Sequence, residues 1–197
     1  MADAFDPAHA GRLEEPARLE ALPQAAVVAL LRLEGGETVV DYGAGTGVYT
    51  VAVAQALPHG RVIAVEALPT LADKLRERAA AVPGALERLE IILTEDNAVP
   101  AADGAADRIV MVDVLHHLYD QPAALSEIAR LLRPGGLLAI ADWGDKPRPV
   151  GPGLDHVLGL AAVRDIVRDM GLDEVEAHEQ GDGLPCHLTV VAQKPAD

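Results

Sequence analysis

The sequence predicts an α/β protein built on a doubly wound, mostly parallel sheet. Short apolar blocks of strand length alternate with helix-length amphipathic stretches, and an early strand-to-helix turn is dense in glycine. Some blocks, such as DRIVMV at 107–112, are continuously apolar, as in strands covered on both faces. Strand–helix–strand units of this length close right-handed and lay successive strands parallel.

Residues 1–22 carry polar, helix-favouring segments, with Pro7 and Pro16 at expected helix starts. Residues 25–33 read as an apolar-faced helix ended by Gly35 and Gly36. A strand at 38–42 runs into the glycine-rich turn, and a helix follows at 48–57. The alternation continues with strands at 61–65 and 89–93 around a helix at 71–82. After the 107–112 strand, Pro122 opens a helix with Leu125, Ile128, Leu131 and Leu132 on one side. Arg133-Pro134-Gly135-Gly136 supplies the cation, proline and glycines that end it, and 137–141 is a buried strand. Residues 144–153 form a Pro/Gly linker, followed by a helix at 160–170 capped by Gly171. Strands at 174–178 and 188–193, joined through Gly181-Asp182-Gly183, close the chain as a hairpin. This divides 1–197 into a helical lid (1–35), a core (36–143) and a closing linker, helix and hairpin (144–197) within one domain.

Composition narrows the partners. The 197 residues carry 16 basic and 31 acidic side chains, a net charge of −15, so polyanions such as nucleic acid and anionic membranes are repelled. The longest apolar block, near 25–31, is far shorter than the ~20 residues that cross a bilayer. No basic start followed by an apolar stretch suggests a leader, and Cys186, the only cysteine, cannot make an internal disulfide, so a reducing cytoplasm is expected.

The chemistry concentrates at 39–50, VVDYGAGTGVYT. A strand ends in Asp41, glycines follow at Gly43, Gly45 and Gly47, and a helix begins. Such a turn lets backbone approach a ligand and presents N–H groups at the helix start. Glu66 ends the next strand, 23 residues after Gly43, where a carboxylate accepts both ribose hydroxyls of a bound nucleotide. A dinucleotide fingerprint needs a third glycine where Val48 stands, and no Tyr-x-x-x-Lys pair is present, which disfavours a nicotinamide oxidoreductase.

The G-x-G-x-G spacing, with an acid two residues before the first glycine, resembles the class I S-adenosylmethionine-dependent methyltransferases. Asp96-Asn97 after the third strand resembles the family's adenine-reading position, with Glu95 as the alternative acid. Asp113 with VLHHL resembles the motif lining the methyl-transfer site, and LRPGGLLAIADW resembles the loop before the fifth strand. The matches span roughly 36–143, and FDPAHAGRLEEPARLEAL is similar to the lead-in of small bacterial methyltransferases. The resemblance implies a seven-stranded sheet of order 3-2-1-4-5-7-6 with strand 7 antiparallel. It also implies S-adenosylmethionine as cofactor, S-adenosylhomocysteine as product, and Asp41, Gly43, Ala44, Gly45, Gly47, Glu66, Ala67, Asp96, Asn97 and Asp113 as cofactor-binding residues. Asp41 is expected to hold the loop and the cofactor's amino group.

His116, His117 and Asp113 are the catalytic candidates, because a neutral imidazole can take a proton from a hydroxyl or amine. Of five aromatic residues, Tyr42, Tyr119 and Trp143 follow strands at their C-terminal ends, Tyr49 opens the first core helix, and Phe5 lies elsewhere. Tyr119, Trp143, His156 and His187 are the substrate-side candidates, with 1–22 and 144–156 as the expected lid and Lys146 and Arg148 within it. No H-x-x-x-H or Cys/His spacing supports a metal, and Asp142 is followed by Trp143 where metal-dependent relatives place asparagine. The absence of N-P-P-[YF] after the fourth strand, the lone cysteine and the acidity leave a small-molecule methyl acceptor as the expected partner. A binding module that holds the cofactor without turnover is the alternative.

Overall fold

The computed structural model describes residues 7–94, 96–118 and 121–196. The candidates Phe5, Glu95 and Tyr119 lie outside the described residues.

A 3-10 helix at Pro7–Glu14 leads into two short helices, α1 (Pro16–Ala21) and α2 (Gln24–Leu30). The alternation then runs β1 (Thr38–Tyr42), α3 (Val48–Ala56), β2 (Arg61–Glu66), α4 (Pro69–Ala80), β3 (Leu89–Leu93) and β4 (Ala106–Val112). It continues with α5 (Gln121–Leu131), β5 (Leu132–Trp143), α6 (Leu160–Asp169), β6 (Asp173–His178) and β7 (His187–Gln193). The strands form one sheet ordered β3-β2-β1-β4-β5-β7-β6. Strands β1 to β5 pair in parallel, whereas β7 runs antiparallel to both β5 and β6. The expected order and the reversed seventh strand are both present.

Strand side chains alternate between two cores. Val40, Tyr42, Ile63, Ile109, Met111 and Ile140 pack with Ile128 and Leu131 of α5 and Val163 and Val167 of α6. Val39, Val62, Val110 and Ala139 pack on the opposite face with Val27 of α2 and Val51 and Val53 of α3. This two-sided burial explains the apolar runs, since no face of a central strand meets water.

Three local expectations need correction. Leu132 belongs to a strand rather than to the preceding helix, because it pairs with Ala106. Arg133–Gly136 is therefore part of long β5, where Gly135 N–H and Gly136 C=O bond to Lys194 across the sheet. The Lys194 ammonium donates to Ala129 O (2.7 Å) in the last turn of α5 and to Leu132 O (2.8 Å) at the start of β5. Helix α2 stops at Leu30 rather than 33, because Arg32 turns to φ +49°. The Glu37 carboxylate then accepts Glu34 N–H (2.6 Å) and Gly35 N–H (2.8 Å), fixing the turn into β1.

The strand order reverses between β1 and β4: β2 and β3 lie on one side, β4 and β5 on the other. Beyond the C-terminal ends of strands at such a switch point lies the crevice of a doubly wound sheet. Among the described residues, no helix is long and apolar enough to cross a membrane.

Candidate active site

A cavity of about 570 Å³ opens at that switch point. Its wall contains Asp41, Tyr42, Gly43, Ala44 and Gly45 at and beyond the end of β1, Glu66 and Ala67 at the end of β2, Asp96 and Asn97 after β3, and Asp113 and His117 after β4. The N-terminal segment contributes Leu13 and Arg18, and α3 contributes Tyr49.

The glycine turn is shaped by contacts on both sides. Gly43 has φ +82°, and a Cβ there would overlap the Val114 side chain. A Cβ at Gly47 would lie 2.7 Å from Leu75 Cγ, so α4 packs against bare backbone. Gly43 and Ala44 N–H both donate to Val65 O, at 2.9 and 3.0 Å, which ties the turn to β2.

Two carboxylates frame the turn in different ways. Asp41 is 2% exposed and accepts a 2.5 Å hydrogen bond from Thr50 Oγ1. Burial raises its pKa to about 6; the Thr50 hydrogen bond opposes that rise and the charge of Glu66 adds to it. Glu66 accepts Gly45 N–H (2.7 Å) on one oxygen and Ala67 and Leu68 N–H (both 2.9 Å) on the other. Three backbone donors thus orient a carboxylate whose Oε2, with one N–H bond, keeps a lone pair for a hydroxyl donor.

Asp96 is exposed at the opposite wall, its Oδ1 accepting Thr94 Oγ1–H (2.9 Å) and Ala98 N–H (3.2 Å), and these bonds hold its pKa below the usual carboxylate range. Asn97, at φ +65°, accepts the Tyr42 hydroxyl (3.1 Å) on Oδ1.

The end of β4 carries a buried ionic cluster. Asp113, at φ +56°, takes the Arg18 guanidinium on Oδ2, with Nη2 at 2.7 Å and Nε at 3.0 Å. His187 Nε2 lies 3.1 Å from Asp113 Oδ1. Burial raises the Asp113 pKa, but Arg18 and then His187 outweigh it and hold the carboxyl down at about 2. Deeper still, His116 Nδ1 lies 2.6 Å from Asp142 Oδ1, and Asp142 also accepts Leu115 and Trp143 N–H (2.9 and 2.7 Å). Burial lowers the His116 pKa, yet Asp142's hydrogen bond and charge raise it above its ordinary value. The His117 ring stacks tilted on His116, centroids 4.0 Å apart, and faces the cavity.

The cofactor-side candidates therefore converge on one cavity: Asp41, Gly43, Ala44, Gly45, Glu66, Ala67, Asp96, Asn97 and Asp113 all line it, and Gly47 closes the turn behind them. The described substrate-side candidates, Trp143, His156 and His187, do not line it. Trp143 is buried, its ring stacked on His187 at 4.1 Å with the Arg148 guanidinium 5.5 Å away. His187 has a fully buried side chain behind Asp113, and the His156 side chain is 54% exposed in a loop turn. No described residue of 144–156 reaches the cavity wall, contrary to its expected place in the lid. Arg148 folds that segment onto itself through Gly144 O (2.8 Å) and Pro152 O (2.6 Å), while Lys146 pairs with Glu179 (2.6 Å). Among the described residues, no group of three His, Cys, Asp or Glu side chains is arranged to hold a metal ion.

Arg18 is the site residue that the sequence did not single out. Its partner is 95 positions away, and an arginine in a charged amphipathic stretch carries no periodic signal.

A family model described as a methyltransferase domain matches residues 40–140. A solved SAM-dependent methyltransferase from Aquifex aeolicus is 28% identical and superposes with a TM-score of 0.87, covering 96% of this chain and 98% of its own. An O-methyltransferase of Aspergillus sclerotiorum is 32% identical over 142 residues, 68% of this chain and 52% of its own. The 27-O-demethylrifamycin SV methyltransferase of Amycolatopsis mediterranei is 28% identical over 161 residues, 80% of this chain and 57% of its own. The chain spans about half the length of these two curated relatives.

Proposed function

The chain belongs to the methyltransferase domain family, with S-adenosylmethionine as cofactor, and we propose that it methylates a small-molecule acceptor. The observation that carries this reading is the single cavity shared by the glycine turn, the backbone-held Glu66 and the His117 ring. These residues fit an adenosyl ligand: the turn excludes Cβ atoms at 43 and 47, and Glu66 Oε2, which accepts only Gly45 N–H, retains a lone pair for a ribose hydroxyl. Bound, the cofactor supplies a methyl group already activated on a sulfonium.

In this reading Gly43–Gly47, Ala44, Glu66 and Ala67 seat the nucleoside end, and Asp96 and Asn97 meet the adenine. Asp41 holds the turn through Thr50 and attracts the cofactor's cationic end. Asp113 is a counter-ion for Arg18 rather than a base, since a carboxyl held at about 2 is a poor proton acceptor near neutrality. His117 takes the acceptor's proton, and His116, fixed by Asp142, supports it from behind. The apolar side chains of Leu13, Val114 and Leu118 exclude water from the transfer. Residues 1–35 act as the lid, 36–143 as the cofactor core, and 144–197 complete the sheet. The printed names of the relatives above, an O-methyltransferase and a rifamycin methyltransferase, support a hydroxyl acceptor on a small molecule. A bacterial cytoplasm suits the buried, unpaired Cys186.

The test is methyl transfer from labelled S-adenosylmethionine to a panel of phenols, alcohols and amines. Acceptor-dependent label transfer is expected, with His117→Ala lowering kcat on hydroxyl acceptors by roughly 10²–10⁴-fold and leaving S-adenosylhomocysteine affinity near wild type. Cofactor binding without turnover on any acceptor would leave a binding module in place of an enzyme.

A further inference from the structure

We infer that Arg18, delivered by the N-terminal segment, binds the carboxylate of the cofactor's amino-acid end, so that the cofactor site is complete only when that segment lies over the cavity. This inference rests on S-adenosylmethionine as the ligand of the cavity.

The first ground is charge. Four carboxylates line the cavity, from Asp41, Glu66, Asp96 and Asp113, and Arg18 is the only lysine or arginine among the described lining residues. A sulfonium and an ammonium find opposite charge on every side. The same ligand's carboxylate is repelled on every side except at Arg18.

Place is the second ground. The segment crosses the glycine turn: Leu13 Cδ1 lies 3.4 Å from where a Cβ of Gly45 would stand. Arg18, five residues on, has its guanidinium 5.4 Å from the Tyr49 ring centroid, at the start of the helix that the turn opens. The cation therefore sits at the turn end of the cavity, beside the Tyr49 ring.

Donor capacity is the third. Nε and Nη2 donate to Asp113 Oδ2, and Nη1 donates to Leu13 O at 2.7 Å. Among the described residues these use three of the five guanidinium N–H groups, leaving one on each Nη for a further acceptor. Asp113 thus aims the guanidinium without consuming it, and a second carboxylate can bind without breaking the first pair. Glu14 helps to hold the segment down, with Arg78 Nη2 at 2.6 Å.

Calorimetric titration of two ligands separates this from a packing role: S-adenosylhomocysteine carries the carboxylate, and 5′-methylthioadenosine lacks the amino-acid end. Arg18→Gln should weaken S-adenosylhomocysteine by roughly ten- to a hundredfold, the loss of a charged hydrogen bond, and leave 5′-methylthioadenosine within about twofold. Arg18→Gln strands buried Asp113, so the double variant Arg18→Gln/Asp113→Asn, with neither charge, is measured beside it. The same selective loss in the double variant supports direct contact. Recovery of S-adenosylhomocysteine binding in the double variant, or equal losses for both ligands in either variant, would overturn it. Failure of the unaltered protein to bind either nucleoside would instead sink the cofactor assignment, and this inference with it.

Discussion

Asp41 and Glu66 bring two carboxylates into one cavity and are held there by opposite means. Glu66 is surrounded by backbone donors, whereas Asp41 is buried with one hydroxyl partner. With its folded pKa near 6, against 3.8 as the ordinary value, Asp41 holds its proton more tightly in the native state. The stability it confers is complete below about pH 4 and is lost as pH rises through 6, an effect on the order of 3 kcal/mol. Asp41→Asn keeps an acceptor for Thr50 and removes that dependence. It should stabilise the protein by up to about 3 kcal/mol at pH 8, with no gain at pH 4, and should weaken S-adenosylhomocysteine binding. Urea unfolding at the two pH values checks this; equal effects at both would contradict the assignment. Asp41, Glu66 and the glycines were legible because their spacing is dictated by one βαβ unit. Arg18 was not, because its meaning depends on a residue 95 positions away.

The glycine turn is an element whose members are constrained for different reasons. Gly43 faces Val114, which packs on the β4 side of the sheet, while Gly45 meets only Leu13 at ordinary contact distance. Gly43→Ala should cost about 2–4 kcal/mol from the left-handed backbone and overpacking together, lowering Tm by roughly 5–15 °C. Gly45→Ala should cost only about 1–2 kcal/mol. Scanning calorimetry of the two variants tests the order, and a larger loss at Gly45 would contradict it. Element identity was readable from apolar blocks, but several ends were not. Arg133–Gly136 has the composition of a helix stop and a loop, yet the bonds of Gly135 and Gly136 to Lys194 draw it into β5. The proline-rich 144–153 segment reads as a free linker, yet Arg148 bends it back toward Trp143 and away from the cavity. The first outcome depends on a partner remote in sequence, the second on which of its near neighbours, Gly144 and Pro152, the Arg148 guanidinium reaches.

At the scale of the molecule, the sheet order places the C-terminal ends of β1, β2 and β4 around one crevice, and Leu13 and Arg18 of the N-terminal segment line it. The two-sided core was legible as continuous apolar runs. The burial of Trp143 and His187 was not, because it depends on the register that sets these two residues opposite each other on β5 and β7, which the strand order alone does not fix. In the proposed function this crevice binds an adenosyl ligand through Glu66 and the glycine turn. Thermal unfolding with S-adenosylhomocysteine or NADH, for the protein and for Glu66→Gln, tests it most directly. S-adenosylhomocysteine at about a hundred times its Kd should stabilise by roughly 2.7 kcal/mol, a rise of about 5–10 °C in Tm. That rise should be largely lost at the same concentration in Glu66→Gln, with no rise from NADH in either protein. A rise with NADH alone, or an S-adenosylhomocysteine rise unchanged in Glu66→Gln, would contradict the account.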